Sequence, residues 1–407
     1  MNLCAGLDKD GVYDGSFGGE LANVGTYYSL KPDGKYIQRS MHVEVVASDD
    51  DIYLPSLKTP LYKSCDQLKD YEGCHKNWAN GRYENGPEVI EMVMDLVRKE
   101  AESCDALQGF QLAHSIGGGT GAGLGSLIIS RLREDYSERI ISTFSVVPSP
   151  KVSDFPVEPY SAAFTAHYLI ADVDFSYIFD NETLYEGLLA NGFDPKSNLD
   201  AKHSALMDKI APAIAAATSA FRFPAQRTSS LRSVLQDLVP NPRLHFLSTT
   251  VVPLTRVPYE QHLTDLQKSP FNPYCPANGN VNPRTDHYTA CAATYRGSML
   301  ASQVGDLFSE FKPTVKGYFG ESFCSVPAYN LENSVSLVGN HSSAQCVWER
   351  VSEQYDNLYR RKAFLAWYMG SGMDEMECVE AREDLHSLIE EYKLTGDRST
   401  ETDTAST

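Results

Sequence analysis

The run Ser115-Ile116-Gly117-Gly118-Gly119-Thr120-Gly121-Ala122-Gly123 limits what this chain can fold into more than any other stretch. It follows an apolar segment, Phe110 to His114. It precedes an amphipathic one, Leu124 to Arg133, with Leu124, Leu127, Ile128 and Leu132 on one face. A flexible linker does not open directly into such a helix. A strand that enters a glycine loop and leaves as a helix holds phosphate. Backbone N–H groups reach the anion without Cβ interference, and the helix N-terminus adds its positive dipole end. The Ser115 and Thr120 hydroxyls offer further donors. On this reading, valine at Gly119 or Gly121 abolishes binding, because a branched Cβ fills the space where N–H meets phosphate.

Two familiar phosphate loops fit poorly. A Walker-type loop needs Lys-Ser/Thr after its last glycine, and Leu124-Gly125 stands there instead. Gly117-x-Gly119-x-x-Ala122 satisfies a relaxed dinucleotide fingerprint, which also requires an acidic residue at the end of the next strand. That strand, Ile140 to Val147, runs into Pro148-Ser149-Pro150, so a nicotinamide-dependent enzyme is disfavoured.

Composition narrows the class further. A chain of 407 residues with 42% hydrophobic content has material for two or three domains. No apolar run reaches membrane-spanning length and no basic-then-apolar segment opens the chain, so neither a membrane span nor a secretory signal is expected. Nine cysteines, an odd number without a Cys-x-x-Cys pair, suit free thiols in a reducing cytosol. A net charge of −19 argues against nucleic acid as a partner. From Asp374 onward eleven carboxylates face three basic residues, so eight of the nineteen net negative charges lie in the last 34 residues. Such a surface steers basic partners.

Residues 1–198 read as alternating strands and helices. The strand-like runs are Met41 to Val46, Gly109 to His114, Ile140 to Val147 and Ala171 to Ile178; Pro87 to Glu102 and Leu124 to Tyr136 read as helices. This alternation argues an α/β fold with a parallel sheet covered on both faces. A central helix follows over 199–222, then mixed strands over 223–341 with proline-rich connections such as Pro270 to Pro276. C-terminal helices occupy 342–394, as Ser342 to Tyr368 and Met373 to Tyr392. The Ser/Thr-rich, charged tail 395–407 is expected to be disordered.

The glycine loop resembles the tubulin signature, and collinear segments extend the resemblance from about residue 11 to Lys393. Val146 to Asp154 with Val157-Glu158-Pro159-Tyr160 is similar to the family's ribose loop, and Asp180-Asn181-Glu182 with Leu184-Tyr185 to its guanine-contacting segment. Asn241 to Phe246, Arg360 to Tyr368 and Gly372 to Glu377 also match, several closest to the β-type chain. The resemblance implies a tubulin-like fold: a parallel-sheet GTP-binding domain, a central helix, a smaller α+β intermediate domain and a C-terminal helical hairpin. It implies a cytoplasmic, cytoskeletal subunit of microtubules or related filaments that binds GTP or GDP and joins an α-like tubulin chain head to tail. Motors and associated proteins are its implied partners on the acidic C-terminal helices. There Glu375, Glu377, Glu383, Asp384 and Glu391 are expected to face solvent, while Phe364, Trp367, Leu385 and Ile389 pack inward. Carried over by match, Ser115, Gly117, Gly118, Gly119, Thr120 and Gly121 cradle the phosphates, Asp154 holds the ribose and Asn181 reads the guanine edge. Asn77 stands near the terminal phosphate, and Asn198 is the nearest match to a second guanine contact.

Several positions depart from the family. Met1 falls inside its first helix, so its opening strand and Gly-Gln-Cys-Gly-Asn-Gln loop are missing, and a truncated transcript is the expected explanation. The Asp-x-Glu-Pro-Gly metal loop reads Glu44-Val45-Val46-Ala47-Ser48 followed by Asp49, Asp50 and Asp51, which leaves magnesium doubtful. The Gly-Ala-Gly-Asn-Asn loop reads Gly73-Cys74-His75-Lys76-Asn77. Pro212 is expected to kink the central helix. Leu231-Arg232-Ser233 stands where the α-type chain carries its water-activating Glu, so no general base is expected there. These departures keep open a second reading: a non-hydrolysing relative that caps or binds, or serves centrioles or cilia.

Overall fold

Phe175, Tyr177 and Phe179 point to one side of their strand while Ser176, Ile178 and Asp180 point to the other, and all six are buried. A strand buried on both faces belongs inside a sheet covered by helices on each side. The computed structural model describes residues 7–8, 10–13, 21–43, 74, 76–190, 192–225, 230–253, 288–298, 305, 309, 315–328 and 331–404.

A small antiparallel hairpin comes first, β1 (Tyr28–Leu30) with β2 (Tyr36–Gln38). The main sheet is built from β3 (Gly109–Ser115), β4 (Ile140–Val147), β5 (Phe175–Asp180), β6 (Phe246–Pro253), β7 (Tyr288–Gly297), β8 (Val315–Cys324) and β9 (Asn333–His341). Their spatial order is β3-β4-β5-β6-β9-β7-β8, with β3 at one edge among the described strands. Strands β3 to β6 run parallel, whereas β9 is antiparallel to both β6 and β7. The pieces expected as two domains share this sheet through a narrow joint, Ser176 opposite Phe246 and Tyr177 opposite Leu247.

The helices are α1 (Asn85–Glu102), α2 (Gly125–Asp135), α3 (Glu158–Asp172), α4 (Asn181–Ala190), α5 (Leu199–Ala217), α6 (Ser219–Arg222), α7 (Leu231–Leu238), α8 (Ala344–Tyr359), α9 (Leu365–Gly370) and α10 (Glu375–Thr404). On one face, Phe144, Phe175, Tyr177 and Leu247 pack with α4, α5 and α7. On the other, Ile141, Val147, Ile178 and Phe246 pack with α1, α2, α3, α8 and α10. Tyr160 and Phe164 of α3 meet Tyr355 and Tyr368 edge to face at 5.2–6.0 Å, which fastens the C-terminal helices beneath the parallel strands.

Several local expectations need correction. The strand expected from Ala171 begins at Phe175, because Ala171 and Asp172 complete α3. Met41 to Val43 form no strand, and the rest of that run lies outside the described residues, as do Pro270 to Pro276. The central helix expected over 199–222 ends earlier: α5 carries Pro212 inside it and stops at Thr218, after which α6 adds one turn. The helix expected over Ser342 to Tyr368 is interrupted after Tyr359, where Lys362 and Phe364 take left-handed backbone angles. That turn leaves Trp367 62% exposed rather than packed inward, while Leu385 and Ile389 are buried as expected. The tail also differs: α10 continues to Thr404 instead of ending near Tyr392. Residues 395–404 hold one glycine and no proline, and the Thr395 hydroxyl donates back to the Glu391 carbonyl at 2.9 Å.

Of the acidic residues on this helix, Glu375 and Glu383 face solvent. Three others are half-buried because each has a distant partner. Glu377 accepts from Tyr83, Asp384 lies 2.6 Å from His167 Nδ1, and Glu391 lies 2.9 Å from Arg243.

Candidate nucleotide site

Strands β3, β4 and β5 end level with one another, Ser115 opposite Val146 and Val147 opposite Asp180. The carboxyl ends of parallel strands are where ligands of open α/β sheets bind. From β3 emerges the glycine loop, from β4 the segment 148–157, and from β5 Asn181. Two strand spacings, about 10 Å, separate the first from the last, a span that a nucleotide laid along this rim covers from phosphate to base.

The loop is fixed from below. His114 is buried, with Nδ1 2.8 Å from the Gly121 carbonyl and Nε2 2.9 Å from the Ser145 hydroxyl. A carbonyl only accepts, so Nδ1 carries the proton and Nε2 accepts from Ser145. The chain continues through Thr143 to Ser176, at 2.9 and 2.8 Å, and crosses three strands. Burial lowers the His114 pKa to about 4, which keeps the ring neutral in this arrangement.

From the side, Cys74 and the segment from Asn77 to Arg82 press on the glycine loop backbone to backbone. Both Asn80–Glu84 and Thr120–Leu124 are wide π-type turns. A Cβ on Gly81 would collide with the Gly119 carbonyl, and one on Gly123 with that of Trp78. A Cβ on Gly119 would lie 2.5 Å from Cys74 Cβ and 2.8 Å from Cys74 O. Gly119 is therefore required by the neighbouring loop rather than by an approaching phosphate, which corrects the sequence argument. At Gly121 the atom met is Ser115 O, at 2.8 Å, again protein and not ligand space. Gly118 differs: a Cβ there would meet nothing within 4 Å, so the loop is open at this position.

The other expected residues divide into two groups. At the rim, Ser115 is exposed and its Oγ accepts from the Gly117 N–H at 3.3 Å. Asp154 stands exposed at the far side of the β4 loop. Asn181 opens α4 with its Oδ1 buried and without a partner among the described residues. A buried amide oxygen left bare costs free energy, which makes Asn181 stand out on this rim.

Three residues are committed elsewhere. The Thr120 hydroxyl donates to Cys74 Sγ at 3.4 Å. Asn77 accepts from Ala79 N–H at 3.0 Å and turns its amide toward the Trp367 carbonyl, 3.4 Å away. The Asn198 side chain is spent as the N-cap of α5, accepting from Ala201 N–H at 2.9 Å, and the residue is exposed. An N-cap oxygen satisfies a helix donor, so the Oδ1 of Asn198 is committed to α5. Of the family's terminal-phosphate and metal loops, Gly73, His75, Glu44, Val46 and Asp49 to Asp51 lie outside the described residues. Among the described residues no group of three or more His, Cys, Asp or Glu is placed to hold a metal.

Two positions were missed as site residues. Glu158, in the first turn of α3, packs on the loop: a Cβ on Gly117 would sit 3.5 Å from its Cγ. Ser153 Oγ donates to it at 2.8 Å, yet burial raises its pKa to about 7. Its signal was in the Val-Glu-Pro-Tyr match already noted. Arg350 of α8 was invisible in sequence. It grips the wholly buried Asp180 with two bonds, 3.0 and 2.6 Å, and so fixes the β5 end that presents Asn181.

The comparisons agree with this geometry. The model of the Tubulin/FtsZ family GTPase domain matches residues 6–188. The tubulin beta-5 and beta-6 chains of Ectocarpus variabilis are each 38% identical to this chain over 411 residues, covering 97% of it and 90% of the relative. Sheet, glycine loop and similarity over 97% of the chain place it in the tubulin family, as a divergent β-like member and a guanine-nucleotide-binding subunit of the cytoskeleton.

Proposed function

We propose that the rim of β3, β4 and β5 is the nucleotide site, with phosphates on Ser115 and the open side of Gly118, ribose between Asp154 and Glu158, and guanine on Asn181. The observation that carries this reading is the bare, buried Asn181 Oδ1 at the end of β5, on the rim that the glycine loop shares. A magnesium ion accompanying the nucleotide would draw on Glu44 and the Asp49 to Asp51 run, the carboxylates that the sequence offers in the family's metal loop, since this hard cation keeps its water and takes one or two carboxylates. The loaded chain adds head to tail to an α-like tubulin and extends a filament in the cytoplasm, because a heterologous contact propagates instead of closing. With Leu231-Arg232-Ser233 at the place of the activating Glu, it does not complete the hydrolysis site of the subunit it caps. The outer carboxylates Glu375, Glu383 and Glu390 suit basic segments of motors or associated proteins.

Competition binding with GTP and ATP tests the assignment. The native chain prefers GTP, and N181A loses that preference while still binding triphosphate. An unchanged preference in N181A removes Asn181 from the base site. Co-sedimentation with α-tubulin polymer tests the second part, and a chain left in the supernatant at every concentration contradicts it.

A further inference from the structure

We propose that Lys76 supplies the fixed positive charge for the terminal phosphate, so that this chain distinguishes nucleoside triphosphate from diphosphate with a lysine. The inference rests on the nucleotide reading above.

Lys76 lies on the loop that touches the glycine loop: a Cβ on Gly119 would meet Cys74 O at 2.8 Å and Asn77 O at 3.0 Å, on either side of it. Its backbone is left-handed, φ 59°, one of three such non-glycine residues among those described. An unbranched Lys tolerates that region only at some cost, and strain of this kind persists where the surroundings dictate it. The matching family residue is Asn, which adopts left-handed angles readily, so the exchange to Lys gives up backbone comfort and gains a charge.

Among the described residues the ammonium's contact is a weak one. Its Nζ sits 3.1 Å from the centroid of the Phe155 ring, itself 39% exposed, and makes no salt bridge among the described residues. Burial lowers the amine pKa somewhat and the nearby Glu158 raises it. Glu158 in turn packs on Gly117. The charge is thus parked on a weak cation–π contact, close enough to feel Glu158 and on the stretch whose carbonyls border Gly119, where a phosphate oxygen competes easily for it.

Affinities for GTP and GDP, measured by displacement of a fluorescent guanine nucleotide, decide the matter. K76M weakens GTP by about tenfold, as loss of a charged hydrogen bond implies, and leaves GDP within about twofold. K76N fits the left-handed backbone and also lacks the charge, so it behaves as K76M, whereas K76R keeps the preference for GTP. A GTP-to-GDP ratio unchanged in K76M and K76N, with both nucleotides still bound tightly, overturns the role of Lys76 alone. A native chain that binds neither nucleotide overturns the nucleotide reading and this inference with it.

Discussion

Alanine at Gly118 and at Gly119 should do opposite things, although the residues are adjacent and chemically identical. At Gly119 the new Cβ meets Cys74 Cβ at 2.5 Å and the carbonyls of Cys74 and Asn77 at 2.8 and 3.0 Å. Backbone atoms cannot swing aside, so Cys74 and Asn77 must retreat. Overpacking of this kind costs about 1–3 kcal/mol, and the backbone neighbours place G119A near the upper end. At Gly118 the Cβ meets nothing within 4 Å, so G118A leaves the nucleotide-free protein within about 0.5 kcal/mol of the native chain. If phosphate fills that open side, the methyl group displaces it, and GTP affinity falls by about tenfold or more, equivalent to about 1.4 kcal/mol. Urea denaturation of nucleotide-free protein reads the first quantity, and nucleotide titration the second. A G118A protein that is as stable as the native chain and binds GTP equally well refutes the placement of phosphate. A G119A protein of undiminished stability refutes the packing of the two loops.

Further outcomes follow from the buried charges. The His114 ring is held neutral, with its pKa lowered from 6.5 to about 4. Its contribution is complete above pH 6.5 and is lost as pH falls toward 4, by roughly 3 kcal/mol in total at about 1.4 kcal/mol per unit. H114Q should flatten that acid limb in a pH series of denaturation curves; an unchanged limb assigns it to other groups. Glu158 has the opposite sign, raised from 4.5 to about 7, so its contribution is present below pH 4.5 and is lost as pH rises through about 7. The carboxylate then stands against Gly117, and GTP affinity should weaken from pH 6 to 8 more in the native chain than in E158Q. Parallel pH profiles for the two proteins contradict this. R350M leaves Asp180 buried and unpaired, which costs about 3–5 kcal/mol, whereas R350M combined with D180N recovers much of the loss. Equal stability of the single and double variants argues against the pairing.

Much of the rim was legible in the sequence, because glycine spacing and apolar alternation are local signals. The segment Gly109 to His114 is β3 short of one residue, Ile140 to Val147 is β4, and Leu124 to Tyr136 brackets α2. What the sequence hid is tertiary. The wide turn at 120–124 depends on Gly81 and Gly123 meeting carbonyls of distant segments. Glu377, Asp384 and Glu391 are drawn inward by Tyr83, His167 and Arg243, none near them in sequence. Trp367 reads as core by hydrophobicity, but the left-handed turn through Phe364 rotates it outward. Asn198 fits a nucleotide contact and a helix cap equally by residue type, and the backbone of α5 takes it as a cap.

The central claim is that the β3–β5 rim holds guanine nucleotide. Protein purified without added nucleotide, then denatured and analysed by mass spectrometry, tests it most directly. The account predicts near one equivalent of GDP or GTP in the native chain and much less in G118A of equal stability. A nicotinamide dinucleotide, or no nucleotide in native protein that takes up none from added GTP, contradicts it.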